Sequence, residues 1–200
     1  MNDRSIPFYN VIMKCSSYVD KPISLPEGYT FSPYKMGFGK YWAEMEYAVG
    51  DFPSVVDAEK YFCESLLPEL VLNPEKGVFI LNKEGIPVGS CLSWFHPKGE
   101  GEAASLHWAI VSPLEQGKGL GRAACSMALK LHADKGELPV YLHTQPWSWT
   151  AMLLYISLGF KVQKTDSFSK YENQYSQAME TLKSVMPEDL YRVLEINSED

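Results

Sequence analysis

The sequence predicts a mixed α/β protein built on a twisted central β-sheet with helices flanking both faces. Three observations predict it. Strand-like and helix-like stretches follow one another as strands, two helices, a hairpin and strand, then helix, strand, helix, strand. A strand at 105–111 runs through a glycine-rich turn into an amphipathic helix at 120–135. The 200 residues are 46% apolar and 22% charged, enough for one sizeable core and ordinary for a globular chain.

Residues 6–13 are rich in β-formers and read as a strand. Asp20, Pro22, Pro26 and Gly28 make 20–28 turn-rich, and 29–34 reads as a short strand. Tyr41, Trp42, Met45 and Val49 recur at helical spacing, so a helix is expected over 38–49, broken by 50–53. Ser54 is the expected N-cap of a second helix over 55–67, extending toward 72 past Pro68. The runs 77–81 and 87–95, joined by a turn at 82–85, read as a hairpin, with loop over 96–102. After the 120–135 helix, Gly136 is a C′ residue. Strands at 140–145 and 160–163 bracket a helix at 148–158, and the tail from about 172 to 195 is helical, with Pro187 as a break or first-turn residue.

The formal charge of −7 argues against a general nucleic-acid binder, which needs a basic face for phosphates. It gives mild attraction for cationic substrates such as amines. Cys15, Cys63, Cys91 and Cys125 are widely spaced, without a CxxC pair or zinc-ligand spacing. They read as thiols in a reducing compartment, two disulfides in a secreted protein being the alternative. No signal-peptide pattern and no apolar run of membrane-spanning length occurs, so the expected location is the cytoplasm, with no membrane partner and no metal.

The chemistry concentrates at Gln116, Gly117, Lys118, Gly119, Leu120, Gly121 and Arg122. Glycines let backbone N–H groups approach a ligand, and the first turn of the following helix offers amides without intrahelical acceptors at a positive dipole end. Together these suit a phosphate or pyrophosphate, with Lys118 and Arg122 adding charge. GxxxxGK[ST] is absent. The dinucleotide fingerprint fits poorly, with Arg122 in the third glycine position and no clear ribose-binding acid.

The stretch fits [QR]-x-x-G-x-[GA] as Gln116-x-x-Gly119-x-Gly121, and so resembles motif A of the GNAT superfamily, the GCN5-related N-acetyltransferases. Residues 106–113, ending Val111-Ser112-Pro113, look like that family's fourth strand, and 141–144 like its fifth. Ala151, Tyr155, Gly159 and Phe160 match A-x-x-x-Y-x-x-x-G-F, so the resemblance covers about 77–165. It implies a GNAT fold with splayed fourth and fifth strands, in a single acyl-CoA N-acyltransferase domain over 1–200 with a helical C-terminal extension at about 172–200. It implies acetyl-CoA as acyl donor, its pyrophosphate on the N–H groups of 117–122. It implies transfer to a primary amine of a small molecule or peptide by direct attack in a ternary complex, by a monomer or homodimer.

The same resemblance assigns the backbone N–H near Val111 to the developing oxyanion and the Tyr155 hydroxyl to the leaving thiolate. Ser148 stands where relatives commonly carry a cofactor-contacting asparagine. The base stays open: the 105–111 strand has no glutamate, and His107 and His143 are both candidates. Glu44 and Glu46 either hold a cationic substrate or are solvated helix charges. Trp147 and Trp149 either line the acceptor pocket or pack. A non-catalytic acyl-CoA-binding regulator is the alternative function.

Overall fold

The computed structural model describes residues 5–200. The architecture is mixed α/β, an open mixed sheet flanked by helices. The chain forms two compact units. The first comprises Lys21–Ser93 and Leu106–Leu131, and the second the described residues up to Asp20 with Trp94–Ser105 and His132–Asp200.

In the first unit β2 (Thr30–Ser32) pairs antiparallel with β3 (Gly77–Leu81), and β3 with β4 (Pro87–Lys98), whose neighbour in the sheet is β5 (Gly101–Val111). Gly89 lets β5 come close: a Cβ there would stand 3.3 Å from the Ile110 carbonyl oxygen and 3.4 Å from Val111 Cγ2. Helix α1 (Phe38–Val49) buries Trp42, Ala43, Met45, Glu46 and Val49. Ser54 caps α2 (Val55–Tyr61), its hydroxyl accepting from the Asp57 N–H at 3.1 Å.

That helix continues through a π turn (Phe62–Leu66) into α3 (Leu67–Leu72). Pro68 explains the widening. It cannot donate to the carbonyl of Glu64, and its ring would clash there in an α-helix. The Leu67 N–H instead reaches back to the Phe62 carbonyl. Helix α4 (Leu120–Asp134) follows β5 and buries Leu120, Ala124, Ala128 and Leu129.

In the second unit the strand order is β4-β5-β6-β1-β7-β8. Strand β1 (Val11–Cys15) lies antiparallel between β6 (Val140–Thr144) and β7 (Lys161–Gln163), and Val11, Ile12 and Met13 are fully buried. The strand expected over 6–13 thus begins later and runs further. Pro7 lacks the N–H a ladder needs, and Lys14 is held by Asp166 and Glu199 at 3.7 and 3.8 Å.

Strand β5 pairs parallel with β6 at Ala104↔Val140 and Ser105↔Tyr141, and β7 pairs parallel with β8 (Ser198–Glu199). The loop expected over 96–102 shrinks to a turn at 99–100 between the end of β4 and the start of β5. The polar residues Lys98 and Glu102 disguised these strand ends, and Lys98 is tied to Asp166 at 2.6 Å. Helices α5 (Trp149–Ser157), α6 (Tyr175–Val185) and α7 (Glu188–Ile196) complete the unit, with Pro187 at the α7 N-cap. Among the described residues no helix is long and apolar enough to cross a membrane.

Residues 165–174 lie against the β6 side chains Tyr141 and His143. Phe168 stacks on Tyr141 at 5.2 Å, Tyr171 stacks on His143 at 3.7 Å, and His143 Nε2 meets Asn10 Oδ1 at 2.8 Å. Burial, and then the charge of His96, push the His143 pKa down to about 4 from an ordinary 6.5. The unfolded chain therefore binds this proton at a higher pH than the folded one. His143 contributes full stability above about 6.5 and loses it as pH falls toward about 4. The urea midpoint should fall between pH 7 and pH 4.5, and less so in His143→Gln. An equal fall in both proteins would overturn this assignment.

Candidate active site

At Val111, β5 stops. The Ser112 N–H bonds the Val88 carbonyl at 2.9 Å, and Pro113–Glu115 forms a 3-10 turn. Gln116 then donates through Nε2 to the Val111 carbonyl at 3.2 Å, pinning the loop to the strand it leaves. Gly117 and Gly119 take φ of 79° and 82°, a left-handed conformation that L side chains rarely adopt. An added Cβ at either would meet nothing within 4 Å, so backbone conformation rather than crowding selects glycine.

The Ala123 N–H bonds the Gly119 carbonyl at 3.1 Å, the first helical bond of α4, while Leu120 at 1% exposure anchors the helix. The amides of Leu120, Gly121 and Arg122 therefore occupy the first turn, where no intrahelical acceptor exists, at the positive end of a 15-residue helix. A cleft of about 400 Å³ adjoins this turn. Pro22, Ile23, Leu25 and Pro26 give it apolar lining, and Lys118, Gly119, Arg122 and Ser126 a polar, cationic side. The arrangement fits a ligand with an anionic group and an apolar or planar body.

The loop lysine is not poised alone. Lys118 Nζ donates to Glu115 Oε2 at 2.5 Å and to the Tyr29 hydroxyl at 2.9 Å, and Tyr29 donates to the same carboxylate at 2.5 Å. The hydrogen bond with Glu115 and then that with Tyr29 push the Lys118 pKa up to about 12, while Lys118 and then Tyr29 hold Glu115 below the ordinary carboxylate range. Sequence reasoning missed Tyr29 and Glu115. Nothing in their local pattern signals a contact 86 residues away in sequence. The segment 22–26 was legible only as turn.

Strand β5 carries an irregularity just before this site. Trp108 sits at φ 48°, outside the region a strand residue occupies, so the side-chain alternation resets there. The alternation that runs from His107 to Ala109 and Val111 is therefore interrupted at Trp108. His107 is half-buried with its ring 5.4 Å from that of Trp108. Val111 is half-buried beside Gly89. Helix α1 packs against the Pro113–Glu115 turn. On α1, Glu44 is exposed, as a solvated charge would be, but Glu46 is 1% exposed. Burial, then the charge of Asp51 and a hydrogen bond with it, push the Glu46 carboxyl well above its usual range.

The first unit thus brings together His107, Val111 and residues 116–122. Ser148 and Tyr155 belong to the second unit. Ser148 precedes α5 and accepts a hydrogen bond from Gln145 Nε2 at 2.9 Å. Tyr155 is half-buried on α5, its ring edge-on to Phe160 at 6.1 Å, and its carbonyl accepts the Phe160 N–H at 3.1 Å. His143 lies under Tyr171, uncharged at neutral pH. Trp147 packs against Phe8 at 5.3 Å. Among the described residues no group of His, Cys, Asp and Glu could hold a metal ion.

Solved structures share this architecture. A GCN5-related N-acetyltransferase from Sphaerobacter thermophilus matches with a TM-score of 0.61 and 23% identity, over 78% of this chain and 49% of that one. An acetyltransferase from the GNAT family from Colwellia psychrerythraea matches with a TM-score of 0.60 and 13% identity, over 78% and 53%. Glucosamine-6-phosphate N-acetyltransferase from Arabidopsis thaliana matches with a TM-score of 0.53 and 17% identity, over 72% and 99%. The chain spans about half the length of the first two. No curated protein matches it in sequence. The model of the Acetyltransferase (GNAT) family matches residues 41–160, more than half of the chain, and the chain belongs to that family.

Proposed function

We propose that this protein is an acetyl-CoA-dependent N-acetyltransferase acting on a primary amine of a small molecule or peptide, by direct attack in a ternary complex. The observation that carries this reading is the 116–122 loop, with its two left-handed glycines and the first-turn amides of α4 beside a cleft of about 400 Å³. Those amides would receive the pyrophosphate of acetyl-CoA, with Gln116 holding the loop in register and Arg122 adding charge at the cleft. Acetyl-CoA supplies the acetyl thioester.

The protein's part is threefold. The backbone N–H at Val111 is the donor for negative charge developing on the acetyl oxygen. The Tyr155 hydroxyl gives a proton to the departing sulfur. His107 is the candidate acceptor for the proton of the amine. We read 1–200 as one acyl-CoA N-acyltransferase domain with a helical extension from about 172, working as a monomer or homodimer. Four free cysteines support a reducing compartment such as the cytoplasm. One observation favours the alternative of a non-catalytic acyl-CoA-binding regulator: the Ser148 hydroxyl, in the place of a cofactor-contacting asparagine, is already engaged by Gln145.

Isothermal titration with acetyl-CoA, CoA and NADH tests the cofactor class. Micromolar binding of both CoA species without NADH is expected, and Gly119→Val, which forces a β-branched residue into φ 82°, should weaken it about tenfold or more. Absence of CoA binding would sink the reading. Thiol release on an amine panel separates the enzyme from the regulator. Tyr155→Phe should lower kcat by about 10²-fold with the acetyl-CoA Kd unchanged, and unaltered kcat would remove Tyr155 from the chemistry.

A further inference from the structure

Four aromatic rings of the first unit, Trp42, Phe52, Tyr61 and Trp108, all touch one another. Trp42 lies 5.3 Å from Trp108, 5.8 Å from Phe52 and 6.2 Å from Tyr61. Phe52, Tyr61 and Trp108 lie 5.4–5.6 Å from each other, and Trp108 Nε1 reaches the Tyr61 hydroxyl at 3.4 Å. Trp42 is fully buried, whereas the other three rings are half-exposed. A plain apolar core would account for the packing.

It would not account for three unfavourable features that converge there. The Trp42 Nε1–H is buried with no hydrogen-bond partner among the described residues. Trp108 holds a left-handed backbone that a bulky side chain disfavours. Glu46, on the α1 face one turn beyond Trp42, is buried with no cation paired to it among the described residues. Its partner is Asp51, an exposed carboxylate whose chain neighbour is Phe52 of the cluster. Strain and unsatisfied polar groups gathered in one place mark a functional site more often than a stability device.

The position agrees. Trp108 lies on β5 between His107 and Val111, and α1 packs against the turn that opens the 116–122 loop. We propose that the Phe52, Tyr61 and Trp108 rings with the Asp51–Glu46 carboxyl pair form the acceptor subsite, selecting a primary amine that carries an aromatic or broad apolar body. This rests on the acetyl-transfer reading and narrows its substrate class. The ring faces accept the apolar body and attract a cation through their quadrupoles. Asp51 supplies the negative end to an amine that arrives as ammonium. Glu46 is a positioning residue, fixing the Asp51 carboxylate by their shared hydrogen bond.

Two measurements on the full chain test this. In the first, tryptamine and 2-phenylethylamine are compared with ethanolamine, glucosamine and a lysine-containing peptide as acceptors, by thiol release from acetyl-CoA. The arylalkylamines should lead in kcat/KM by about tenfold, and Asp51→Asn should raise their KM by a similar factor with the acetyl-CoA Kd unchanged. In the second, tryptophan fluorescence is titrated with 2-phenylethylamine, and with each other amine, in the absence of acetyl-CoA. This reads the subsite without turnover. Saturable change with 2-phenylethylamine, weakened in Asp51→Asn and in Tyr61→Leu, supports the subsite. Preference for the aliphatic or sugar amines, or an Asp51→Asn protein that matches the parent in both measurements, overturns it. If no amine releases thiol, the acetyl-transfer reading fails, and the fluorescence titration still decides whether the cluster binds arylalkylamines.

Discussion

The left-handed backbone at Gly117 and Gly119 is the constraint on which the site depends. It turns the chain from the end of β5 into the axis of α4, so that the helix begins with its amides presented beside the cleft. The surrounding bonds serve that turn. Gln116 ties the loop to Val111, Ser112 ties it to Val88, and Leu120 seats the helix in the core. Any side chain at Gly119 would trade the turn for strain, since residues with a Cβ pay roughly 1 kcal/mol or more in that conformation. The anion binding we propose here would follow from backbone geometry before any side-chain charge is counted.

Much of this was legible in the sequence because it is local. A strand feeding a glycine-rich turn and an amphipathic helix announces itself within a short window, and Ser54, Gly136 and the hairpin at 82–85 are local signals too. The first helix lay where Trp42, Met45 and Val49 put it. The misplaced pieces have physical reasons. Polar residues at the ends of β4 and β5 read as loop because their partners, such as Asp166 for Lys98, come from far along the chain. The left-handed backbone at Trp108 carries no glycine to betray it. The burial of Glu46 was hidden, and its two readings stayed open, because helical periodicity gives a face but not what covers it. Tyr29 and Glu115 meet only in the folded chain.

Within the first unit, two different environments adjoin β5. The 116–122 side is backbone-rich and open, which suits an anion that must come and go. The surroundings of Trp108 are aromatic and dense. A strained residue persists only when its surroundings over-determine it, and the contacts of Trp108 with Trp42, Phe52 and Tyr61 supply that. The same rings whose contacts hold the backbone in its unusual state also form the acceptor surface we propose.

Lys118 illustrates how the loop's charge can be held in reserve. Its ammonium satisfies Glu115 and Tyr29, yet it remains well exposed, and exposed ion pairs in water contribute little net stability. Exchanging the carboxylate for a phosphate oxygen replaces one charge-assisted bond with another of similar kind. The pair therefore opposes anion binding only weakly, and it keeps the lysine from wandering when no anion is present. Glu115 lies in the turn that opens the loop, so the carboxylate released by such an exchange stays hydrogen-bonded to Tyr29. In the proposed function, affinity for the anionic group would then rest chiefly on the first-turn amides and only secondarily on the Lys118 side chain.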